Sequence, residues 1–328
     1  MVVYDVVSFG SAVVDTFVSS EISEKKGEMV LPVGMKILVS DLKFDVGGGA
    51  TNVGVAFSRF GFKTGCICGV GSDNNGKNVL DLFKREKIAF LGSVDKKKMT
   101  GYSVILDSKK RNRTVLTYKG VNDYISFADI KPFKAKWIYY SSMLGKSFET
   151  QKKLARKMVK EGTKLALNPS SYAIKRMDIS ELLKNAYVLI LNKEEAEMLC
   201  KRYKRRVGRS ADPKLRNKGA TLMEGLRSLG PEIVVVTDKN KIVKCYDGEK
   251  LYSVKPHQNV KVVERTGAGD AFAAGFVSGL MAKKSIKECL ELGVKESEAV
   301  IGHFGAKNNL IRRNIARCTP KSRIRGQK

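Results

Sequence analysis

Short apolar runs and amphipathic stretches take turns along most of the chain. Residues 2–9, 64–70, 137–141, 164–168, 187–191 and 233–237 are strand-length and almost continuous in apolar side chains. Stretches with helical spacing separate them, over 50–61, 75–86, 149–161, 193–199 and 221–229, and two more follow at 271–280 and 286–304. Strands that lack polar alternation are buried on both faces. Their alternation with helices therefore predicts a mainly parallel sheet between two helical layers. Local punctuation agrees: Gly61 supplies a left-handed helix end, Asp73 an N-cap and Pro169 a strand stop. The segment Asp247-Gly248-Glu249-Lys250 joins runs 242–246 and 251–254 as a hairpin with type I′-compatible turn chemistry.

Two regions break the rhythm. Residues 30–46 carry strand-like apolar positions, and 101–107 and 113–118 read as strands joined by a basic polar turn, with no helix between them. They predict a small antiparallel sheet outside the main body, placed as a lid.

Composition narrows the class. A hydrophobic content of 43% over 328 residues supports one large α/β unit or two modest domains. No apolar run approaches a membrane span, and the start lacks a basic region followed by an apolar one, so a cytoplasmic protein without membrane association is expected. Cys66 and Cys68 form a C-x-C pair in an apolar run, and two histidines in the whole chain make a poor zinc set. Free, at least partly buried thiols are the reading for these and for Cys200, Cys245, Cys289 and Cys318. Charge is the unusual feature: 61 Lys and Arg against 33 Asp and Glu give +28. That field attracts phosphorylated small molecules and nucleic acid alike. It is densest at 201–206 and in the tail after Lys307, neither of which carries an RNA-binding aromatic signature.

Chemistry concentrates in Glu264-Arg265-Thr266-Gly267-Ala268-Gly269-Asp270. Two glycines and an alanine at a helix entrance leave backbone N–H groups uncovered at the positive end of the dipole, which attracts phosphate. Asp270 stands in the same small volume. Either it is a base beside an anion hole, or it and Thr266 serve as ordinary caps. No Lys-Ser or Lys-Thr pair follows, so this is neither a P-loop nor a dinucleotide fingerprint.

Other strand ends add to it. Gly47-Gly48-Gly49-Ala50-Thr51-Asn52 lets backbone approach a ligand, and Asn52 offers a donor and an acceptor. Asp15 follows the first strand and suits either a polyol or a turn cap. Asn192 and Glu195 follow strand 187–191 as a capping box, or as oxygen ligands acting on Mg²⁺ through water. Asn309, in Lys307-Asn308-Asn309, suits a nucleotide base or bare surface.

In this order, Gly47 to Asn52, Asn192 to Glu195 and Thr266 to Asp270 resemble the motifs of the PfkB family of carbohydrate kinases, over 3–306. The resemblance implies a ribokinase-like three-layer α/β/α sandwich with a mainly parallel central sheet and a small β lid. The kinase domain would span 1–318, with lid elements at 16–46 and 99–120 and a basic tail at 319–328. It implies ATP-dependent transfer of the γ-phosphoryl group to a hydroxyl of a sugar or sugar derivative, with Asp270 as base and Gly267, Ala268 and Gly269 as the anion hole. Asp15, Gly48 and Asn52 would hold the acceptor, and Asn168 would line the phosphate region. Asn192 and Glu195 would organise Mg²⁺ and phosphates, and Thr237, Arg265 and Asn309 would face the nucleotide.

Two departures stand out. Glu264-Arg265 replaces the family's usual Asp-Thr pair, and Asp238-Lys239-Asn240 follows Thr237 where the family tends to Thr-x-Gly. Residues 201–218 form a basic excursion between helices. A nucleoside kinase, a sugar-phosphate kinase and an RNA-binding protein that retains the fold are the alternatives. A homodimer through exposed lid edges is compatible with the pattern.

Overall fold

The computed structural model describes residues 2–110, 112–203, 218–258 and 260–316. The basic run at 204–217 and the tail at 317–328 lie outside the described residues. A nine-stranded sheet forms the centre, in the order Leu251–Val254, Val243–Tyr246, Ile233–Thr237, Ala186–Asn192, Lys164–Asn168, Lys134–Ser141, Val3–Phe9, Thr64–Ile67, Ala89–Phe90. Every pairing from Ile233–Thr237 onward is parallel, and only Val243–Tyr246 runs against the other strands. Alternate residues of one strand feed different cores: Val188 and Ile190 pack on one side, Leu189 and Leu191 on the other. Helices Gly49–Arg59, Asn74–Arg85, Ala268–Met281 and Ile286–Ile301 contribute to the first core, and Gly145–Lys160, Lys193–Arg202 and Lys218–Arg227 to the second. This is the three-layer sandwich that the apolar pattern predicts.

The sheet order fixes where a ligand can enter. From Val3–Phe9 the chain first builds outward to Thr64–Ile67 and Ala89–Phe90, then returns to add Lys134–Ser141 on the other side. Connections leave these two neighbours in opposite directions, so a crevice opens beyond their carboxyl ends, at Gly10-Ser11 and Ser141-Ser142.

The second sheet has four strands, in the order Arg113–Tyr118, Gly101–Asp107, Val13–Ser20, Val39–Gly47. It corrects the expectation of a purely antiparallel sheet, because Gly101–Asp107 pairs parallel with Val13–Ser20. The missed strand is Val13–Ser20, which leaves the central sheet after Gly10-Ser11-Ala12 and carries the chain from one sheet into the other. Two local readings also change. Gly248 alone has positive φ (103°) in its hairpin turn, whereas type I′ needs two such residues. The last helix stops at Ile301, short of 304. Among the described residues no helix is long and apolar enough to cross a membrane, and the five described cysteines are free.

Candidate active site

The Ala268–Met281 helix is held close to its neighbour by small residues. A Cβ on Gly275 would lie 2.8 Å from the Leu292 carbonyl, and one on Gly279 2.7 Å from Cys289 Sγ. At its start, Gly267 takes φ 82° with its α-carbon pressed on Ala306, and no side chain caps the helix. The first-turn N–H groups are thus available to an anion, except that Ala268 N–H is already turned toward the Arg265 carbonyl at 3.3 Å.

Asp270 lies half-buried in the first turn of this helix, and Asn52 Nδ2 donates to its Oδ2 at 2.8 Å. Loss of water pushes the Asp270 pKa up to about 6; the Asn52 bond and the Lys307 charge oppose that rise, and the Asp15 charge adds to it. Gly49 comes so close that a Cβ there would stand 3.9 Å from Asp270 Oδ1. Asp15 is buried, and desolvation raises its pKa against a Ser103 hydrogen bond and the Lys307 charge. Gly48, at φ 100°, packs against Ser11, so it shapes the turn that delivers Asn52.

Two cavities flank this helix start. One, of about 380 Å³, is lined by Asn192, Thr237, Lys239, Arg265, Ala268, Gly269, Phe272 and the apolar Val243, Val260, Val262, Val294 and Ile301. The other, of about 660 Å³, is lined by Ser11, Gly49, Thr117, Lys119, Asp123, Ser141, Asn168, Tyr172, Glu195 and Asp270. The consecutive residues Gly269 and Asp270 line one cavity each, as do Asn192 and Glu195. Asn192, Glu195, Gly269 and Asp270 therefore line one junction, whereas Asp15, Gly48 and Asn52 line neither cavity and Asn52 reaches the junction through its bond to Asp270.

Asn192 and Glu195 do form the capping box: Asn192 Oδ1 accepts from Glu195 N–H at 2.9 Å and Glu195 Oε2 from Asn192 N–H at 3.0 Å. Glu195 Oε1 accepts from Ser171 N–H at 3.1 Å, and burial raises the Glu195 pKa. Asn168 Nδ2 is spent on the Ile190 carbonyl at 2.7 Å, so its placement is structural as well as lining. Asn309 stands apart: its Nδ2 donates to the Ala299 carbonyl, and it lines neither cavity.

Both departures have a structural account. Glu264 is buried, and its Oε1 accepts from Thr266 N–H and Oγ–H at 2.8 Å each and pairs with Arg113 of the second sheet. That leaves Arg265 exposed on the wall of the smaller cavity. Lys239 holds φ 50°, a left-handed conformation that favours glycine, and its ammonium meets Glu194 at 3.4 Å. Sequence reasoning did not single out the pair Asp45 and Lys307, whose charges act on buried Asp15. Their only signals were an acid on an edge strand and one lysine among many.

The arrangement is that of a small-molecule phosphotransferase: a carboxylate between two cavities, beside an uncapped helix start. The chain belongs to the pfkB family of carbohydrate kinases, whose sequence pattern matches residues 4–313. It is 31% identical over 263 residues to an uncharacterized sugar kinase of Archaeoglobus fulgidus, covering 79% of this chain and 99% of that one. It is 29% identical over 271 residues to a ribokinase of Haemophilus influenzae, covering 80% and 83%. In fold it resembles the adenosine kinase of Sinorhizobium meliloti, with a TM-score of 0.77 at 20% identity over 94% of this chain and 97% of that one. The protein is accordingly a ribokinase-like kinase that transfers a phosphoryl group to a small-molecule acceptor.

Proposed function

We propose that the protein phosphorylates a hydroxyl of a sugar or sugar derivative at the expense of ATP, with Asp270 as the base. The observation that carries this reading is Asp270, bonded to Asn52, at the junction of the two cavities. The smaller, more apolar cavity suits a nucleobase, and its Gly269 end suits the phosphates. The larger one is walled by hydroxyl, amide and charged groups, with Leu144, Pro169 and the Tyr172 ring as its apolar surface. Its hydroxyl, amide and carboxylate groups suit a polyol.

In this mechanism the acceptor hydroxyl loses its proton to Asp270 as its oxygen attacks the γ-phosphorus, and the bond to the bridging oxygen of ADP breaks. Amides of the first helical turn and Arg265 stabilise the charge on the transferring group and on the leaving phosphate. Both Glu195 oxygens already accept backbone N–H groups, and no cluster of three acidic, His or Cys side chains occurs among the described residues. Mg²⁺, which retains waters, fits this setting held through water by Glu195 and Asn192, and it would supply neutralising charge on the phosphate oxygens. Thr117 of the small sheet and Lys119, just past the end of its strand, line the acceptor cavity and would act there as a lid that excludes water.

The deciding experiment is a panel of simple sugars, sugar phosphates and nucleosides with ATP and Mg²⁺, read by ADP release and product mass. A phosphorylated sugar product is expected. Lys119 on the acceptor wall makes a sugar phosphate the second candidate. A phosphorylated nucleoside alone, or no product alongside salt-sensitive RNA binding, would reject the sugar reading. Because the base must be ionised, kcat/KM should fall on the acid side, with half its plateau near pH 6 and about a tenfold loss per unit below. A flat profile between pH 5 and 7, with chemistry rate-limiting, would remove Asp270 from the role. The lid edges expose Val39, Leu42 and Phe44 on one strand and Val115, Leu116 and Tyr118 on the other, which a second copy would cover. Light scattering should then give twice the chain mass, and a monomer at all concentrations would contradict it.

A further inference from the structure

Asp15 and Asp45 stand directly opposite one another on the antiparallel strands Val13–Ser20 and Val39–Gly47. Like charges in that position repel, and here Asp15 is 7% exposed and Asp45 Oδ2 is buried without a hydrogen-bond partner. The backbone is moulded to them: a Cβ on Gly47 would lie 1.9 Å from Asp15 Oδ2, and one on Gly305 2.5 Å from Asp45 Oδ2. Into this place the segment after Gly305 brings Lys307, 3% exposed, with Nζ 3.5 Å from Asp45 Oδ1 and no hydrogen bond of its own. Its backbone is fixed from below, since Arg59 Nη1 donates to the Lys307 carbonyl at 2.8 Å while the rest of that guanidinium grips Glu86. Three residues before Lys307, Phe304 packs edge-on against Phe17 of the small sheet, with ring centroids 4.6 Å apart.

We infer that Lys307 is a positioning residue of the acceptor site: its buried ammonium holds the opposed carboxylates Asp15 and Asp45 in place and sets the charge around Asp270. A buried lysine with no carboxylate nearby would lose its proton; desolvation lowers the Lys307 pKa, and Asp45 and Asp15 act to restore it. The charged groups facing it are Asp45 and Asp15 from the small sheet, Asp270 from the catalytic helix and Arg59 from the Gly49–Arg59 helix. Arg59 is already committed to Glu86, so Lys307 is the cation that serves Asp15 and Asp45.

This inference rests on the reading of Asp270 as the base, and its test needs neither nucleotide nor acceptor. In full-length protein with ¹³C-labelled aspartate carboxyls, the Asp270 resonance is assigned by its loss in Asp270→Asn and titrated from pH 4 to 9. Lys307→Met should raise the Asp270 midpoint by about one unit, as removal of a nearby opposite charge does, and Lys307→Arg should leave it close to the wild-type value. An unchanged midpoint in folded Lys307→Met would overturn the inference. If that variant does not fold, Lys307→Gln, which removes only the charge and keeps a donor for Asp45, is titrated instead: a raised midpoint supports the inference and an unchanged one overturns it. Should the acceptor panel give no product, the titration still decides the role of Lys307.

Discussion

Asp270→Asn is expected to lower acceptor-dependent ADP release by about a thousandfold, the scale of a lost general base, while ATP binding measured by calorimetry stays within about twofold. The replacement keeps the shape and leaves the Asn52 amide a carbonyl oxygen to bond, so packing is preserved. Stability supplies the control. The Asp270 pKa of about 6 in the folded protein lies above its ordinary 3.8, so the folded state holds the extra proton between these values. Stability on this account falls as pH rises from about 4 to about 6, because the unfolded chain gives up the proton first. At pH 7.5 the asparagine variant, with no charge to bury, should melt at or above the wild-type temperature. An inactive variant that also melts several degrees lower would leave its inactivity to misfolding, and near-normal turnover would reject the base.

Gly269→Val should cost on the order of a hundredfold in kcat/KM for ATP, the scale of a lost anion-hole contact, with little change in melting temperature. The reason lies in the space around it: a Cβ at Gly269 meets no protein atom within 4 Å, so the valine projects into the cavity proposed for the phosphates. Gly267→Val is the contrasting case. Its φ of 82° is unfavourable for valine, and its Cβ would lie 2.6 Å from the Ala306 side chain and carbonyl. It should therefore lose about 1–3 kcal/mol of folding stability, seen in urea titrations, before any ligand is added. Full activity in Gly269→Val, or a stable Gly267→Val, would mean that the turn is not built or used in this way. Together the two separate a glycine kept for the ligand from one kept for the fold.

Much of this site was legible because its parts sit at strand ends, and strand ends follow from where apolar runs stop. Asn52, Asn192, Glu195 and Asp270 each come directly after a strand or a glycine turn, and they do converge. The capping box of Asn192 and Glu195 was legible too, since three-residue spacing is a local matter. Asn309 had no such anchor; it lies away from both cavities, held by Ala299. The strand Val13–Ser20 went unread because its role depends on two partners far along the chain, Val39–Gly47 and Gly101–Asp107.

The periodicity of apolar residues determined the layers and the parallel sheet by itself, because burial on two faces admits no other pattern of side chains. Glycine at the helix entrance likewise specified a turn with uncapped amides, since conformation and capping are local properties. Only the tertiary structure decided which charges meet. Arg113 is 151 positions from Glu264, and no rule of spacing pairs them. Lys307 looked like one more surface cation until the fold placed it beneath two opposed aspartates. Electrostatic partnership is set by distance in space and by the water excluded around it, and a linear sequence records neither.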